Sequence, residues 1–479
     1  MSVDWPEFQL SEKCTIKSST RIFKKEYVET GVPFMRSKDV IDKALGVFSH
    51  FELFISKERF QEIKNKYGFP KKGDLLISSV GNRSGWPYIV QDEGDFYFKD
   101  GNVIWMSEFD DLDPDFLAYW MKSDIGQSAL ASIMIGSAQK AITIDSLRKL
   151  WVRFPPFEYQ QRSSDILKLL DKQIAGNKAT NQTLEQIAQA IFKSWFVDFD
   201  PVKAKIEALA AGGSADDAEL AAMSVISAKT VDELNSLKAS SPEAFNKLAQ
   251  TATLFPATMQ DSELGEIPEG WSVEQLGDHL NVLQTGSRPK GGVGGITEGV
   301  PSVGAENILG VGKYTYGKEK FVSREFFDKL KRGVVEDFDF LLYKDGGKPG
   351  EFKPRVSMFG CGFPYSEFAI NEHVFRMRSE SLGQAFLYFQ IGHKRVLDEL
   401  ANRGGKAAIP GINQTDVKTI PVLVPGAADL LTEFNEFAQK IIESILKKSN
   451  ESNHLVSIRD TLLPKLLNGE IDLTSEVVA

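Results

Sequence analysis

Apolar residues recur at helical spacing over one long stretch of the chain. From Leu167 to Trp195 they follow alternating gaps of three and four residues, after the helix-stopping pair Pro155-Pro156. This spacing places one apolar stripe along a helix and is typical of a coiled coil. The sequence predicts a helix of about 40 residues, roughly 60 Å long at 1.5 Å per residue. The predicted seam residues are Leu167, Leu170, Ile174, Asn177, Asn181, Leu184 and Ile191.

A second seam follows 271 residues later along the chain. The polar gap at Asn177 and Asn181 in the first seam is matched by Lys448 and Ser452 in the second. A polar seam residue costs stability but fixes register, so matching gaps favour two helices that pair antiparallel with each other. The alternative is two amphipathic helices that pack separately, each on its own domain. The members of the second seam are Ile441, Ile445, Lys448, Ser452, Leu455 and Leu462.

The remainder of the chain is a repeat of two halves. Trp5 recurs as Trp271, and residues 31–33 recur as residues 299–301. Each half combines short strands after turns, a few helices and glycine-rich polar loops, without regular strand–helix alternation. This pattern predicts an α+β fold: two pseudo-repeated globular domains joined by two long antiparallel coiled-coil helices.

These patterns divide the chain into five predicted segments. The segments are a first globular domain (1–157), a first long helix (158–200), a connector (201–263), a second globular domain (264–428), and a second long helix with a tail (429–479). The connector is rich in Ala, Ser and acidic residues, and its apolar content predicts no core of its own.

Net charge seems at first to argue against nucleic-acid binding. The chain carries 56 Lys and Arg against 66 Asp and Glu, a net charge of −10. Residues 1–157, however, hold 21 basic and 22 acidic residues, and residues 264–428 hold 20 of each. The excess acid lies outside the two globular halves, so the halves are compatible with DNA, although a chain with net negative charge is expected to bind DNA weakly by itself.

Two DNA-binding domains held apart by a stiff pair of long helices, here called the helical bar, suit a DNA target made of two half-sites. B-DNA presents the same face every 34–36 Å, and a bar of roughly 60 Å can bridge that distance. The sequence therefore predicts that bar length sets the gap between the half-sites.

Other features limit the class of protein. Cys14 and Cys361 lie far apart, which argues against a disulfide scaffold and fits a reducing cytoplasm. The longest uncharged run, residues 125–139, is short and polar compared with a membrane span of roughly 20 apolar residues. We therefore expect a cytoplasmic protein that does not cross a membrane.

A search for catalytic motifs finds little. Residues 154–157 read Phe-Pro-Pro-Phe, whereas a DNA methyltransferase needs Asn or Asp at the first position to bind the target amino group. No Walker A sequence is present, and the five histidines form no metal-ligand pair. The sequence predicts no catalytic residue, no metal site and no cofactor on this chain.

Glycine-rich basic loops remain as candidate DNA-binding elements. Arg can grip guanine and Asn or Gln can grip adenine through paired hydrogen bonds, and glycines let the backbone approach phosphates. Ordinary solvated loops are the alternative. The candidate residues are Asn82, Arg83, Ser84, Gln139 and Lys140 in the first half, and Arg288, Lys290, Lys348, Lys353, Arg355, Arg403 and Lys406 in the second.

Four stretches of the sequence carry a resemblance to a known family. Residues 155–162 and 190–201 resemble the central conserved region of type I restriction-modification specificity subunits. Residues 262–271 look like that family's entry into its second target-recognition domain, and residues 458–471 are similar to its C-terminal conserved end. The resemblance covers essentially the whole chain in order. The recognition domains vary within the family, so it does not identify base contacts.

The resemblance implies a larger complex. Two methyltransferase subunits carrying S-adenosylmethionine would bind along the paired helices, and two motor-nuclease subunits would add ATP and Mg²⁺. The target would be double-stranded DNA with a split site, methylated at adenine N6. A dense aromatic group at the end of the first helix is a candidate partner-binding surface, with packing inside the chain as the alternative. Its residues are Phe192, Trp195, Phe196 and Phe199.

Two other functions stay open on the sequence. One is a catalytic DNA methyltransferase or nuclease with divergent motifs. The other is a structural tether whose two ends bind proteins rather than DNA.

Overall fold

The computed structural model shows a mixed α and β architecture, which confirms the predicted α+β class. It describes residues 5–48, 50–81, 84–136, 140–348, 350–405 and 410–473. The chain divides into two compact units. The first unit contains residues 1–174 and 455–479, and the second contains residues 175–454.

The first unit is built from short strands and helices around several apolar clusters. The residues at Asp113 and Pro114 explain why a helix begins there. The Asp113 carboxylate accepts a 2.7 Å hydrogen bond from the Phe116 N–H, and Pro114 stands at the first helical position. The elements are β1 (Glu7–Gln9), β2 (Thr15–Lys17), β3 (Tyr27–Val28), β4 (Val32–Met35), α1 (Ser37–Ala44), β5 (Phe54–Ile55), α2 (Lys57–Tyr67), β6 (Leu75–Ser78), β7 (Pro87–Ile89), β8 (Tyr97–Phe98), β9 (Val103–Ser107), α3 (Pro114–Lys122), α4 (Asp124–Ser132), α5 (Ile144–Arg148), β10 (Trp151–Arg153) and the start of α6 (Phe157–Phe196).

The second unit repeats this plan after a helical insertion and has one extensive apolar core. Its elements are α7 (Asp200–Ala210), α8 (Ala215–Ser227), α9 (Val231–Ser240), α10 (Pro242–Thr253), β11 (Met259–Ser262), β12 (Gly265–Pro268), β13 (Ser272–Gln275), α11 (Leu276–His279), β14 (Val282–Thr285), β15 (Val300–Val303), β16 (Lys320–Val322), α12 (Arg324–Asp328), β17 (Phe340–Tyr343), β18 (Val356–Met358), β19 (Ala369–Ile370), β20 (Val374–Arg378), α13 (Gln384–Gly392), α14 (Lys394–Gly404), α15 (Gln414–Lys418), β21 (Pro421–Val424) and α16 (Ala428–Leu467).

Sheet topology supports the sequence repeat. The main sheet of the first unit has the strand order β2-β9-β6-β7, and that of the second has β14-β20-β17-β18, which are the same elements in repeat order. The pairing register is also kept, because Leu75 faces Met106 in one sheet and Phe340 faces Met377 in the other. Each unit also contains a repeat-related pair of short strands, β1 with β10 and β13 with β21.

The connector is more ordered than its composition suggests. Helices α8 to α10 pack around a small apolar cluster that includes Met223, Leu234 and Phe245, and α7 packs on α8. The prediction that the connector lacks a core of its own was therefore wrong. Alanines such as Ala222 and Ala252 are fully buried, and their small side chains let helices approach closely. Few large residues are then needed to exclude water.

The two long helices contact each other within each unit. In the second unit Asn181 donates to the Ile445 carbonyl at 3.2 Å and to the Ser449 hydroxyl at 3.0 Å. In the first unit Arg459 donates to Asp171 at 2.8 Å. The two residue numbers in each contact add to nearly the same total, which is the signature of antiparallel helices. The alternative, in which the two helices pack separately on their own domains, is therefore not supported.

Candidate nucleic-acid interface

Two glycine-rich loops of the second unit meet beside the end of β19. The first loop runs from Gly286 to Gly292. Its Arg288 lies 3.4 Å from the Glu372 carboxylate, and His373 lies 3.6 Å from the same carboxylate. The second loop begins at Lys344 and ends at Arg355. His373 also pairs with Asp345 on this second loop. A small cleft of about 220 Å³ opens here, lined by Arg288, Lys320, Asn371 and His373 among others. Donors and acceptors for base edges are therefore gathered at one place.

Backbone packing fixes the first loop. Gly286 lies so close to the next strand that an added Cβ would meet the Ile370 carbonyl oxygen at 1.8 Å. Any side chain at this position would push the loop away from β19. Glycine therefore sets the position from which Ser287 and Arg288 reach the cleft.

Asp345 is the acidic centre of the second loop. Burial alone would raise the pKa of Asp345, but hydrogen bonds from Lys344 and His373 outweigh it and hold that pKa below its usual value. The Lys344 ammonium lies 2.7 Å from this carboxylate. Asp345 therefore keeps its charge, and basic side chains are held around it.

Some predicted DNA-binding residues are well exposed. Arg288 and Lys290 are exposed on the first loop, and Lys140 is exposed in the first unit. Lys353 is 80% exposed and pairs with Glu351 at 2.6 Å. These side chains can reach a ligand from the described surface, as can Lys348, which lies on the same loop as Lys353.

Other predicted DNA-binding residues have structural roles. The Arg403 guanidinium donates to the Asp416 carbonyl at 2.7 Å and to the Thr419 hydroxyl at 2.6 Å, and it pairs with Glu399, so it ties α14 to α15. Ser84 is only 6% exposed. Arg403 therefore joins two helices and Ser84 is buried, and contact of either residue with DNA stays a prediction.

Arg355 lies between these two cases. Its guanidinium donates to the Ala305 carbonyl at 2.7 Å and lies 4.9 Å from the centre of the Tyr343 ring. It supports the second loop and is half-buried. The candidates Asn82, Arg83, Gln139 and Lys406 fall outside the described residues.

At the repeat positions of Glu372 and His373 the first unit has Gly101 and Asn102. Ser79 donates its hydroxyl to the Gly101 carbonyl at 3.0 Å, and its N–H donates to the Asn102 carbonyl at 2.9 Å. The two loop regions thus share a backbone plan but differ in side-chain chemistry.

The aromatic group at the end of α6 is part of the core of the second unit. Phe192, Trp195, Phe196 and Phe199 are each less than 10% exposed. Phe196 packs at 5.1 Å on the Phe434 ring of α16. These rings pack inside the chain, and a partner-binding role for them stays a prediction.

The predicted seam residues face inward along both helices. All thirteen are buried or half-buried, and Leu167, Asn177 and Ile445 are at most 2% exposed. Lys448 lies 3.5 Å from the Asn177 side-chain oxygen, so these repeat-related polar residues face each other. The partner of Lys448, which the sequence left open, is Asn177.

Sequence reasoning missed the acidic residues of the second unit's loops. Asp345 and Glu372 hold His373 and Arg288, yet the search followed basic and amide residues only. A repeat alignment offered a signal, because charged residues at 372 and 373 replace Gly101 and Asn102.

Comparisons with known proteins bear on identity. Residues 2–186 match the family model described as the type I restriction modification DNA specificity domain. The HindI specificity subunit of Haemophilus influenzae is 29% identical over 494 residues, covering 98% of this chain and 100% of the relative. The chain is a relative of type I restriction-modification specificity subunits. The resemblance predicted from the sequence motifs is confirmed.

Further relatives agree. The MjaIX specificity subunit of Methanocaldococcus jannaschii is 24% identical over 462 residues, covering 95% of this chain and 89% of the relative. The crystal structure of a type I restriction-modification S subunit from M. genitalium matches with a TM-score of 0.55 at 15% identity, over 98% of this chain and 97% of that one. The structural match supports the fold.

The relatives named here are specificity subunits. Among the helices of the described ranges, none has the length and apolar character that a membrane crossing requires.

Proposed function

We propose that this chain reads a two-part site on double-stranded DNA for a type I restriction-modification complex, with one recognition domain for each half-site. The paired helices α6 and α16 act as a coiled-coil spacer that sets the gap. The observation that carries this proposal is the pair of continuous 40-residue helices, whose antiparallel contacts recur in each unit.

The loop regions are the proposed base readers. In the second domain Arg288 and Lys290 approach DNA from the first loop, and Lys348 and Lys353 from the second. In the first domain Lys140 and the candidates Asn82, Arg83 and Gln139 do so. Their basic and amide groups suit phosphates and base edges.

Catalysis comes from partner subunits in this proposal. Two methyltransferase subunits carry S-adenosylmethionine and methylate adenine N6, and two motor-nuclease subunits bring ATP and Mg²⁺. Exposed apolar residues along the long helices offer docking positions that the buried aromatic group does not. They are Ile166, Leu169 and Ile458 in the first unit and Ile187 and Phe437 in the second.

A change in helix length tests the spacer directly. Seven residues added after Lys178 and seven added after Glu451 lengthen both helices by one heptad and keep the seam in phase. The added length is about 10.5 Å, which corresponds to about three base pairs. Methylome sequencing of a host carrying the lengthened chain should show both half-sites unchanged and a gap about three base pairs longer.

The control is the same heptad added after Lys178 alone. It puts the two seams out of register and should lower methylation without defining a new gap. An unchanged gap in an active double-insertion variant would contradict the spacer. Salt-independent assembly on DNA would favour the protein tether instead.

A further inference from the structure

Helices α6 and α16 are joined to the second domain by a continuous apolar core. This domain comprises residues 259–427, and its core cluster includes four residues of α6 and eight of α16. Phe434 of α16 is 0% exposed, and its ring packs on Phe196 of α6 and on Phe386 of the domain. Separation of the domain from these helices would expose all of this apolar surface to water, so the joint is expected to be rigid.

The first domain, residues 5–156, is joined to the same helices differently. Among the described residues, its apolar clusters include none of α6, and from α16 they include only Leu467, with Leu463 packed at the edge. Polar contacts join α3 and its cap to α6 instead. They are the Asp113 N–H with the Gln160 side-chain oxygen at 2.9 Å, the Tyr119 hydroxyl with Asp171 at 2.6 Å, and the Lys168 ammonium with Asp115 at 2.8 Å.

The repeat shows that equivalent positions carry opposite polarity in the two joints. At the helix offset of 271, polar residues of α6 correspond to buried apolar residues of α16. Tyr119 of α3 corresponds to Phe389 of α13 at the offset of 270 that relates these two helices. The pairs on the long helices are Gln160 with Leu431, Ser163 with Phe434, and Asp171 with Ile442.

The polar joint holds its domain less firmly than the apolar one. The side chains of Lys168 and Asp171 are 43% and 40% exposed, so water can replace their contacts when the joint opens. Ion pairs at such positions stabilise a fold only slightly, and relative motion is the ordinary behaviour of domains that meet through a polar interface. The contact of Arg459 with Asp171 joins helix to helix, so the helix pair stays together when the domain moves.

We propose that the first domain pivots on α6 and α16 as a rigid body, whereas the second domain is fixed to the same helices. Phe154 and Leu467 keep the first domain attached near the start of α6, and α3 moves away from Asp171. The proposal rests on the proposed function for the purpose of the motion, which is to fit the first domain to its half-site.

Thiol labelling of the full chain measures how often each joint opens. Ser164→Cys places a thiol at a 0% exposed position of α6 beside Asp113, and Ser449→Cys makes the same change at an 8% exposed position where α16 contacts Gly312 of the second domain. Peptide mass spectrometry reads the rate of alkylation by iodoacetamide at each cysteine separately. The thiol of Ser164→Cys should react at least about tenfold faster than that of Ser449→Cys.

Cys14 is an internal control, because it is buried in the core of the first domain and reports unfolding of that domain. The thiol of Ser164→Cys should also react faster than Cys14. Equal rates at these two thiols would mean that the joint opens only when the domain unfolds, which would overturn the pivot. Equal rates at the thiols of the two joints would overturn the contrast between the domains.

Tyr119→Phe removes the hydroxyl that bonds Asp171 and should raise the rate at Ser164→Cys by about fivefold. The rate at Ser449→Cys should not change. The matched control is Tyr67→Phe, which makes the same change on α2 at a residue 47% exposed and should leave both rates unchanged. An unchanged rate at Ser164→Cys in Tyr119→Phe would overturn the assigned role of this contact.

The purpose of the motion is tested separately on the assembled complex. With a duplex that carries the site found by methylome sequencing, labelling at Ser164→Cys should become slower. An unchanged rate on a bound duplex would overturn the link to half-site binding. Failure to bind any split site would overturn the proposed function, whereas the comparison of the two joints without DNA does not depend on it.

Discussion

The two units place different chemistry on the same two positions of their main sheets. In the first unit Asp74 accepts a 2.8 Å hydrogen bond from the Trp105 indole N–H. In the second unit the repeat-related Asp339 pairs with the Arg376 guanidinium. Both carboxylates also accept a backbone N–H from three residues earlier, at 2.8 Å from Lys71 and 2.7 Å from Glu336.

This contrast shows how one fold accommodates a buried carboxylate in two ways. Asp339 is 0% exposed and needs a charged partner, because an ion without one is costly to bury. Asp74 is half-buried and is satisfied by a neutral donor. Removal of the partner should therefore cost more in the second unit than in the first.

The largest effect is expected for Arg376→Met. This change leaves the buried Asp339 with the Glu336 N–H at 2.7 Å and the Arg378 guanidinium at 3.2 Å. Loss of one partner from a buried ion pair costs about 3 kcal/mol or more. Hydrogen exchange measured by mass spectrometry should show faster opening of β17 and β20. The double variant Arg376→Met with Asp339→Asn should regain part of the protection, and equal exchange in the two variants would contradict this account.

A smaller effect is expected for Trp105→Phe in the first unit. The change removes one neutral hydrogen-bond donor and some packed volume, which together cost about 1 to 2 kcal/mol. The same exchange experiment on β6 and β9 measures it. A loss of exchange protection as large as that of Arg376→Met would contradict the proposed contrast between the two units.

The pH dependence gives a third measurement. Burial raises the pKa of Asp339 despite the neighbouring guanidinium groups, and burial also raises the pKa of Asp74. The folded state therefore binds these protons more tightly than the unfolded state, in which an Asp titrates near 4. Their contribution to stability is present below that unfolded value and is lost as pH rises through the folded pKa.

Asp339→Asn removes one of these titrations. Relative to this variant, the unchanged chain should lose stability as pH rises from about 4 through the raised pKa. Urea unfolding at a series of pH values measures the difference. A gain in stability over that range would show that the ion pair with Arg376 dominates over burial.

Features set by residues close together in the sequence were predicted, whereas features set by residues far apart in the sequence were not. The helices α6 and α16 and their seam followed from local spacing, because a heptad repeat carries its own register. The side chains of the loops depended on distant partners. Arg403 and Ser84 were predicted to bind DNA from their residue types. The sequence did not reveal that Arg403 contacts Thr419 and that Ser84 contacts Met134.

The aromatic group and the connector show the same limit. Phe192 and its neighbours formed more apolar surface than one seam can bury, and the sequence did not reveal that the second unit supplies Phe386 and Phe434 to cover them. The connector's small core rests on helix–helix packing of alanines, which composition alone underestimates.

The smallest change in stability is expected at the candidate interface. Arg288 and Glu372 form a largely exposed ion pair, and such pairs contribute between about 0 and 1 kcal/mol. Glu372→Gln should therefore leave the unfolding free energy nearly unchanged. The substitution Glu372→Gln also frees Arg288 to contact a phosphate. For the assembled complex on DNA, the slope of log affinity against log salt concentration should therefore become steeper by about one.

The first unit supplies the control for this last prediction. Ser79→Ala removes the hydrogen bond to the Gly101 carbonyl without changing any charge, so the salt slope should stay the same. If both variants shift the slope equally, the exchange of Gly101 for Glu372 between the two units does not change how they bind DNA. If only Glu372→Gln shifts it, the two half-sites are read by electrostatically distinct surfaces on one repeated fold.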